Sequence, residues 1–295
     1  VAAPDLSGVS RLLRLAAPSI PGVNQLPGVK KVPSTTFEPI TLTGAPAAAD
    51  SRLVAQYAAV CGFPRKDTLP LTFPHLAAFV LHMEIMASPA YAWPAMGGVH
   101  TENTITQHRA IALDEVLTTS VTVAAPRPHP KGRVLDFVST VTSSRDAGNG
   151  GDEVVWEEVS TYLVRGRGTE DAASSSLDLG AAPDGTAQWN LPGDLGRRYG
   201  RVSGDINPIH LYPVTAKALG FKRQIAHGMW TKARCMAAIE NRIPDAVKVS
   251  VAFKTPVFLP GTVAFGLEGE RIDLRFGLTS PKDGAPHLVG RATAL

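Results

Sequence analysis

Two stretches of the chain, FPHLAAFVLHMEIMAS (73–88) and AHGMWTKARCMAAIE (226–240), are apolar nearly all round a helical projection. A helix of that kind has no face to give to water, so the rest of the fold must enclose it. Each stretch is followed by runs rich in β-branched residues and bounded by turn residues. After the first come Gly98–His108, Thr118–Pro126, Val134–Ser144 and Val154–Val164. After the second come Val247–Lys254, Thr262–Leu267, Arg271–Leu278 and His287–Ala294. A buried helix followed by strands, twice over, constrains the chain to an α+β fold with two similar halves.

The halves align weakly but in one order, which is the mark of an internal duplication. AQYAAVCGF (55–63) pairs with RRYGRVSGD (197–205), and HLAAFVLHMEIMA (75–87) with HGMWTKARCMAAI (227–239). NTITQHRAIALDEVLTTSV (103–121) pairs with KVSVAFKTPVFLPGTVAFG (248–266). Ahead of the first buried helix, Thr36–Leu42 reads as a strand that Pro39 restricts to an edge. Ala47–Cys61 reads as a helix with Asp50 near its start, and a short helix is expected just before Tyr199. The expected organisation is an extended lead-in at 1–35, a first module at 36–165, a Gly/Ser/Pro-containing linker at 166–187 and a second module at 188–295. The repeat breaks at one point: Tyr57 to His75 is 18 positions, whereas Tyr199 to His227 is 28. The second half therefore carries about ten extra residues between its helices.

Bulk properties exclude several classes. A formal net charge of +3, with no Lys/Arg run, gives no nucleic-acid stripe. No stretch reaches the roughly 20 apolar residues of a membrane span. Residues 1–20 lack the apolar core of a signal peptide and read as a packing helix, so a cytoplasmic enzyme is expected. Cys61 and Cys235, far apart and set among apolar residues, read as buried hydrophobes rather than as a disulfide or zinc ligands.

The extra residues include the most unusual polar segment of the chain, Ser203-Gly204-Asp205-Ile206-Asn207-Pro208-Ile209-His210. Pro208 fixes its own φ and drives Asn207 out of the α region, so Asp205 and His210 are not neighbours on one helix. A bend at Asn-Pro can instead turn both into one cleft, where an acid and an imidazole hold and polarise a water. Ile225-Ala226-His227-Gly228-Met229 then opens the second buried helix, and free amides at a helix N-terminus suit a carbonyl oxygen gaining charge. Each residue also has a structural reading. Asp205 can cap the next helix or brace the turn, His210 can be a satisfied core histidine, and Gly228 a packing residue. A metal set of Asp205, His210 and His227 is a third reading that the spacing does not support.

The run YGRVSGDINPIH, then AKALGF, then IAHGM, closely resembles the hydratase motif of MaoC-like, (R)-specific enoyl-CoA hydratases. LPLTFPHLAAFVLHMEIM (69–86) and MGGVHTENTITQHRAI (96–111) resemble the degenerate first module of mycobacterial-type 3-hydroxyacyl-thioester dehydratases, and VAFKTPVFLPGTV (251–263) their second-module strand pair. The resemblance implies a double hotdog, two antiparallel sheets each wrapped around a long central helix. It implies reversible hydration of trans-2-enoyl thioesters to (R)-3-hydroxyacyl thioesters in fatty-acid metabolism. Asp205 and His210 fall on the family's catalytic pair, Gly228 on its oxyanion donor, and Ser203 and Asn207 on supporting positions. No Asp-x-Asn-Pro-x-His run occurs in the first half, so one site per chain is implied, with the first module shaping an acyl pocket. His100 and Glu102 are candidates to line it, with an equally good structural reading. No metal, flavin or nicotinamide is expected, because hydration changes no oxidation state. The substrate is expected on coenzyme A or acyl carrier protein, with Lys222 and Arg223 as candidate phosphate contacts or plain surface residues. A homodimer and a monomer both fit. The rival functions are a hotdog thioesterase and a non-catalytic acyl-thioester binding protein.

Overall fold

The computed structural model describes residues 38–93, 98–145, 152–270 and 272–295. The expectations for residues 1–35 lie outside them. The first half runs β1 (Ile40–Thr43), β2 (Ala47–Ala48), α1 (Ser51–Cys61), α2 (His75–Ala87), β3 (Val99–Gln107), β4 (Val116–Val123), β5 (Arg127–His129), β6 (Gly132–Ser143) and β7 (Glu153–Arg165). The second runs β8 (Ala187–Leu191), α3 (Leu195–Ser203), α4 (Pro208–Leu211), α5 (Pro213–Ala218), α6 (Gly228–Ile239), β9 (Val247–Phe253), β10 (Gly261–Glu270), β11 (Asp273–Thr279) and β12 (Pro286–Ala294), with one 3-10 turn at Glu240–Arg242.

The strands form one antiparallel sheet in the order β1-β4-β6-β7-β3-β9-β12-β11-β10-β8, with β2 and β5 paired at its flank. The order reads the same from both ends. Strands β1, β4, β6, β7 and β3 mirror β8, β10, β11, β12 and β9, and the halves join where Asn103 faces Val251 and Ile105 faces Val249. The sheets expected as two are thus fused along β3–β9 into a double hotdog; α6 is buried or half-buried except at Ala238, whereas α2, expected to be enclosed, leaves Ala77 and Val80 exposed. The helices meet across the same axis: Tyr57 of α1 lies 6.1 Å from Tyr199 of α3, and Trp230 Nε1 of α6 donates to the Val60 carbonyl at 2.9 Å.

Several expected boundaries move for local reasons. Helix α1 starts at Ser51, not Ala47, because the Asp50 carboxylate caps it by accepting the Arg52 amide at 2.8 Å, leaving Ala47–Ala48 to pair with β4. Tyr199 sits within α3 rather than after it. The ten extra residues are not plain loop; they contain α4 and α5. Residues 166–186 form no helix or strand, yet Leu177, Leu179 and Ala182 pack on Ala252 and Val289, so this segment is laid against the second half of the sheet. Both cysteines are free and fully buried. Among the described residues, no helix is long and apolar enough to cross a membrane.

The central helices are less uniformly apolar than their sequences suggest. His75 and His82 of α2, and Lys232 of α6, are all buried. Lys232 Nζ donates to Asn103 Oδ1 (2.5 Å), the Asn103 carbonyl (3.2 Å) and the Val249 carbonyl (3.0 Å). Asn103 Nδ2 donates to Glu158 Oε1 at 2.6 Å, and Glu158 pairs with His75 Nδ1 at 2.8 Å. All three ammonium protons and the carboxylate are satisfied, which is what makes burial of two charges tolerable. This chain of contacts crosses the seam and ties α6 to β3, β7 and α2.

Candidate active site

Helix α3 ends at Gly204, whose φ of 75° lies in the left-handed region that glycine adopts freely. The chain then turns back over the helix, and two glycines one turn apart let it lie flat. A Cβ on Gly196 would fall 1.9 Å from the His210 carbonyl oxygen, and one on Gly200 would fall 2.8 Å from that of Asp205. Asn207 is extended (φ −55°, ψ 126°), as Pro208 requires, and its side chain caps α4 by accepting the Ile209 amide at 3.3 Å. The bend brings Asp205 Oδ2 to 4.0 Å from His210 Nε2. Two acceptors at that separation can share one water, each at an ordinary hydrogen-bond distance of about 2.8 Å.

The expected supporting residues are here, in somewhat different roles. Ser203 Oγ accepts the Asp205 amide at 3.2 Å. Asn207 holds the carboxylate with its backbone amide, 3.1 Å from Asp205 Oδ1, rather than with its side chain. Gly228 is the first residue of α6, so its amide has no acceptor inside the helix. A Cβ there would lie 3.2 Å from the Phe253 ring, so glycine lets that ring close over the helix start.

His227 was read from sequence only as part of the helix-opening motif and as a metal alternative. It is 2 % exposed, its ring stacks on His210 with centroids 3.7 Å apart, and its Nε2–H donates to the Asp205 carbonyl at 2.9 Å. It thereby ties the residue ahead of Gly228 to the backbone of Asp205. The signal was the His-Gly pair itself, but 22 positions separate it from Asp205, and sequence shows no such distance.

The protonation pattern follows from partners and burial. His210 Nδ1 faces the Ile225 carbonyl at 2.9 Å and must carry the proton. Burial holds the His210 imidazole below its ordinary value, against the pull of Asp205, so it is neutral and its Nε2 lone pair is free. Burial pushes His227 down to about 3. Burial would raise Asp205, but the His227 and His210 rings and the Asn207 amide hold it below the usual carboxylate value, so it is ionised.

Asp205, His210 and His227 offer ligand atoms within 4.8 Å of one another. The donor set does not fit a metal. His227 Nε2 carries a proton for the Asp205 carbonyl, and the imidazoles lie face to face at 26°, so their in-plane lone pairs do not converge on one point.

Of the remaining candidates, Glu102 is structural. Its carboxylate accepts the Ser176 amide at 3.0 Å and the hydroxyls of Ser175 and Ser176, pinning the 166–186 segment. His100 is stacked 4.5 Å from Tyr162 and 5.0 Å from Phe253, the ring that covers Gly228, and burial takes it down to about 3. Lys222 and Arg223 are exposed.

Fold and site together define a double-hotdog protein in which Asp205 and His210 lie 4.0 Å apart. A MaoC-like domain model matches residues 179–281. The chain is 36% identical over 98% of its length, and 99% of the relative's, to 3-hydroxyacyl-thioester dehydratase X of Mycobacterium tuberculosis. A 74-residue stretch, 24% of this chain and 55% of the relative, is 31% identical to an (R)-specific enoyl-CoA hydratase of Aeromonas caviae. The crystal structure of M. tuberculosis HtdX superposes with a TM-score of 0.74 at 34% identity, covering 87% of this chain and all of that one. A second M. tuberculosis protein, described as a double hotdog, shares the fold with a TM-score of 0.52 at 13% identity, over 88% of this chain and 96% of its own. The chain belongs to the MaoC-like dehydratase family.

Proposed function

We propose that the protein reversibly hydrates trans-2-enoyl thioesters to (R)-3-hydroxyacyl thioesters, acting as a dehydratase in the reverse direction. The observation that carries this reading is the 4.0 Å gap between the bare His210 Nε2 and the ionised Asp205. A water shared by the two attacks C3 as His210 Nε2 takes its proton. The electron pair moves through C2 to the thioester oxygen, where the Gly228 amide stabilises it. Collapse of this enolate takes the proton from the imidazolium to C2, completing the addition of H and OH. Asp205 orients the water and stabilises the imidazolium. Hydration changes no oxidation state, so the residues named supply all the chemistry. In this reading residues 188–295 carry the reaction, 36–165 shape the acyl pocket and 166–187 join them.

The test is hydration of a trans-2-enoyl-CoA series by wild type, Asp205→Asn and His210→Ala, with product chirality assigned and free thiol assayed in parallel. Expected is an (R)-hydroxy product, no thiol release, and a loss of about two to four decades in rate for either folded variant. Thiol release without hydration turns the assignment to a thioesterase. Binding without turnover turns it to an acyl-thioester binding protein.

A further inference from the structure

Two imidazoles lie beside the same carboxylate, and only one of them is the base of the proposed hydration. Asp205 Oδ2 is 4.0 Å from His210 Nε2 and 3.8 Å from His227 Nε2. Hydrogen-bond partners separate the two rings. His210 donates from Nδ1 to the Ile225 carbonyl at 2.9 Å, which leaves its Nε2 bare. His227 donates from Nε2 to the Asp205 carbonyl at 2.9 Å, which leaves its Nδ1 bare. The rings are thus opposite tautomers, and only His210 can take a further proton on the side of the carboxylate.

His227 is held neutral. It is 2 % exposed, and among the described residues its bare Nδ1 has no hydrogen-bond partner, so a second proton would be buried without an acceptor. Its ring lies on His210 with centroids 3.7 Å apart and planes at 26°. The face of a neutral aromatic ring attracts a cation, most strongly out of water, whereas two imidazolium rings so close would repel. Asp205 and His227 are the titratable groups set against the His210 ring. Helix α3 meets the loop through Gly196 and Gly200, which bring no side chain, and its Arg197 is engaged with the Leu211 carbonyl at 2.8 Å and the Tyr212 ring at 4.9 Å. Tyr199 of α3 packs on His227 itself, with centroids 4.9 Å apart.

We propose that His227 is a positioning residue for the hydration: its neutral ring is the face on which the His210 imidazolium is stabilised as the water gives up its proton, while its Nε2–H fixes the Asp205 backbone. The proposal rests on the hydratase reading and adds a third side chain to it. A tether for the Asp205 carbonyl needs a donor alone, which a glutamine would supply. The flat ring laid on His210 is the part that a tether does not use.

The experiment follows the His210 and His227 ring resonances by NMR against pH in wild type, His227→Gln and His227→Phe, with kcat and KM measured on a trans-2-enoyl-CoA. Glutamine keeps a donor for the Asp205 carbonyl and removes the ring; phenylalanine keeps a ring face and removes the donor. In folded wild type, His210 is expected to titrate while His227 stays neutral. His227→Gln is expected to lower the His210 pKa by about half a pH unit or more, a threefold or greater weakening of its protonated form, to carry the acid limb of kcat/KM with it, and to lower kcat at least threefold with KM within about twofold. His227→Phe is expected to keep the His210 pKa closer to wild type than His227→Gln does, while losing rate through the freed Asp205 backbone. An unchanged His210 pKa in His227→Gln, or an equal drop in both variants, reduces His227 to a tether and overturns the proposal. So does titration of His227 alongside His210 in folded wild type, a measurement that decides even where neither variant folds. If wild type turns over no enoyl thioester, the hydratase reading fails, whereas the pKa changes still uphold or overturn the support of His210 by His227.

Discussion

Gly196 and Gly200 decide how closely the loop bearing Asp205 and His210 approaches α3, and they make different demands. At Gly196 an added methyl meets the His210 carbonyl at 1.9 Å, so the loop has to move by an ångström or so. At Gly200 the clash with Asp205 is milder, at 2.8 Å. A displacement of about 1 Å at a reacting group costs on the order of a hundredfold in rate. Gly196→Ala is therefore expected to lower kcat/KM about a hundredfold with the fold retained by circular dichroism, and Gly200→Ala to lower it less; the reverse ranking would mean that α3 does not set the loop. In the proposed mechanism the acid limb of activity belongs to His210. Its pKa is held below 6.5, so the neutral base persists into mildly acidic solution and activity falls only as pH drops through that lowered value. Asp205 raises that pKa, so the residual activity of Asp205→Asn is expected to show its limb at still lower pH in a kcat/KM profile. The meeting of Asp205 with His210 and the place of Gly228 at a helix start were legible because Asn-Pro and His-Gly are local signals; the roles proposed for them rest on the family resemblance. The glycine groove and the His227–Asp205 bond were not, because each is a contact between segments that only the turn at Gly204 brings together.

At the level of elements, β-branched runs between turn residues located the strands that line the seam, and near-uniform apolarity located both central helices. Strand β8 and helices α4 and α5 are too short to show a period, and their positions depend on neighbours. Least legible was the polar interior: Lys232 looks like an interruption in an apolar helix until Asn103 and Glu158 are placed opposite it. Burial pushes the Lys232 ammonium down to about 7, against Glu158. Burial also opposes the Glu158 charge, yet His75 and Asn103 hold that carboxyl at about 2. Glu158 is bonded to His75 and to Asn103, and Asn103 in turn holds Lys232; removing one charge from such a buried network costs about 3–5 kcal/mol, while replacing both charges with apolar or neutral groups costs less. Glu158→Gln is expected to destabilise by that amount in denaturant melts near neutral pH, and Lys232→Met with Glu158→Gln by clearly less than the sum of the single changes. Strict additivity would show that the seam network is not one unit.

For the whole molecule, the polar interior implies a particular sensitivity to acid. Burial holds His82, His100 and His227 neutral down to about pH 3, whereas in the unfolded chain each takes up a proton near 6.5. A group whose folded pKa is depressed binds more protons when unfolded, so stability rises with pH between those two values and is lost as pH falls through them. The three act in the same direction, and Glu158, with a folded pKa of about 2, adds to the loss below the ordinary glutamate range. Stability should therefore begin to fall below about pH 6.5, approaching an uptake of about three protons on unfolding near pH 5, or roughly 4 kcal/mol per pH unit. Because His82 and His100 lie in the first half and His227 in the second, and because one sheet runs through both, the acid transition should be a single one by fluorescence and circular dichroism. Two separated transitions would show that the β3–β9 seam does not couple the halves. A slope near zero between pH 4 and 6 would show that the histidines ionise inside the folded protein, and then the neutral His210 on which the proposed water activation depends would no longer follow from burial.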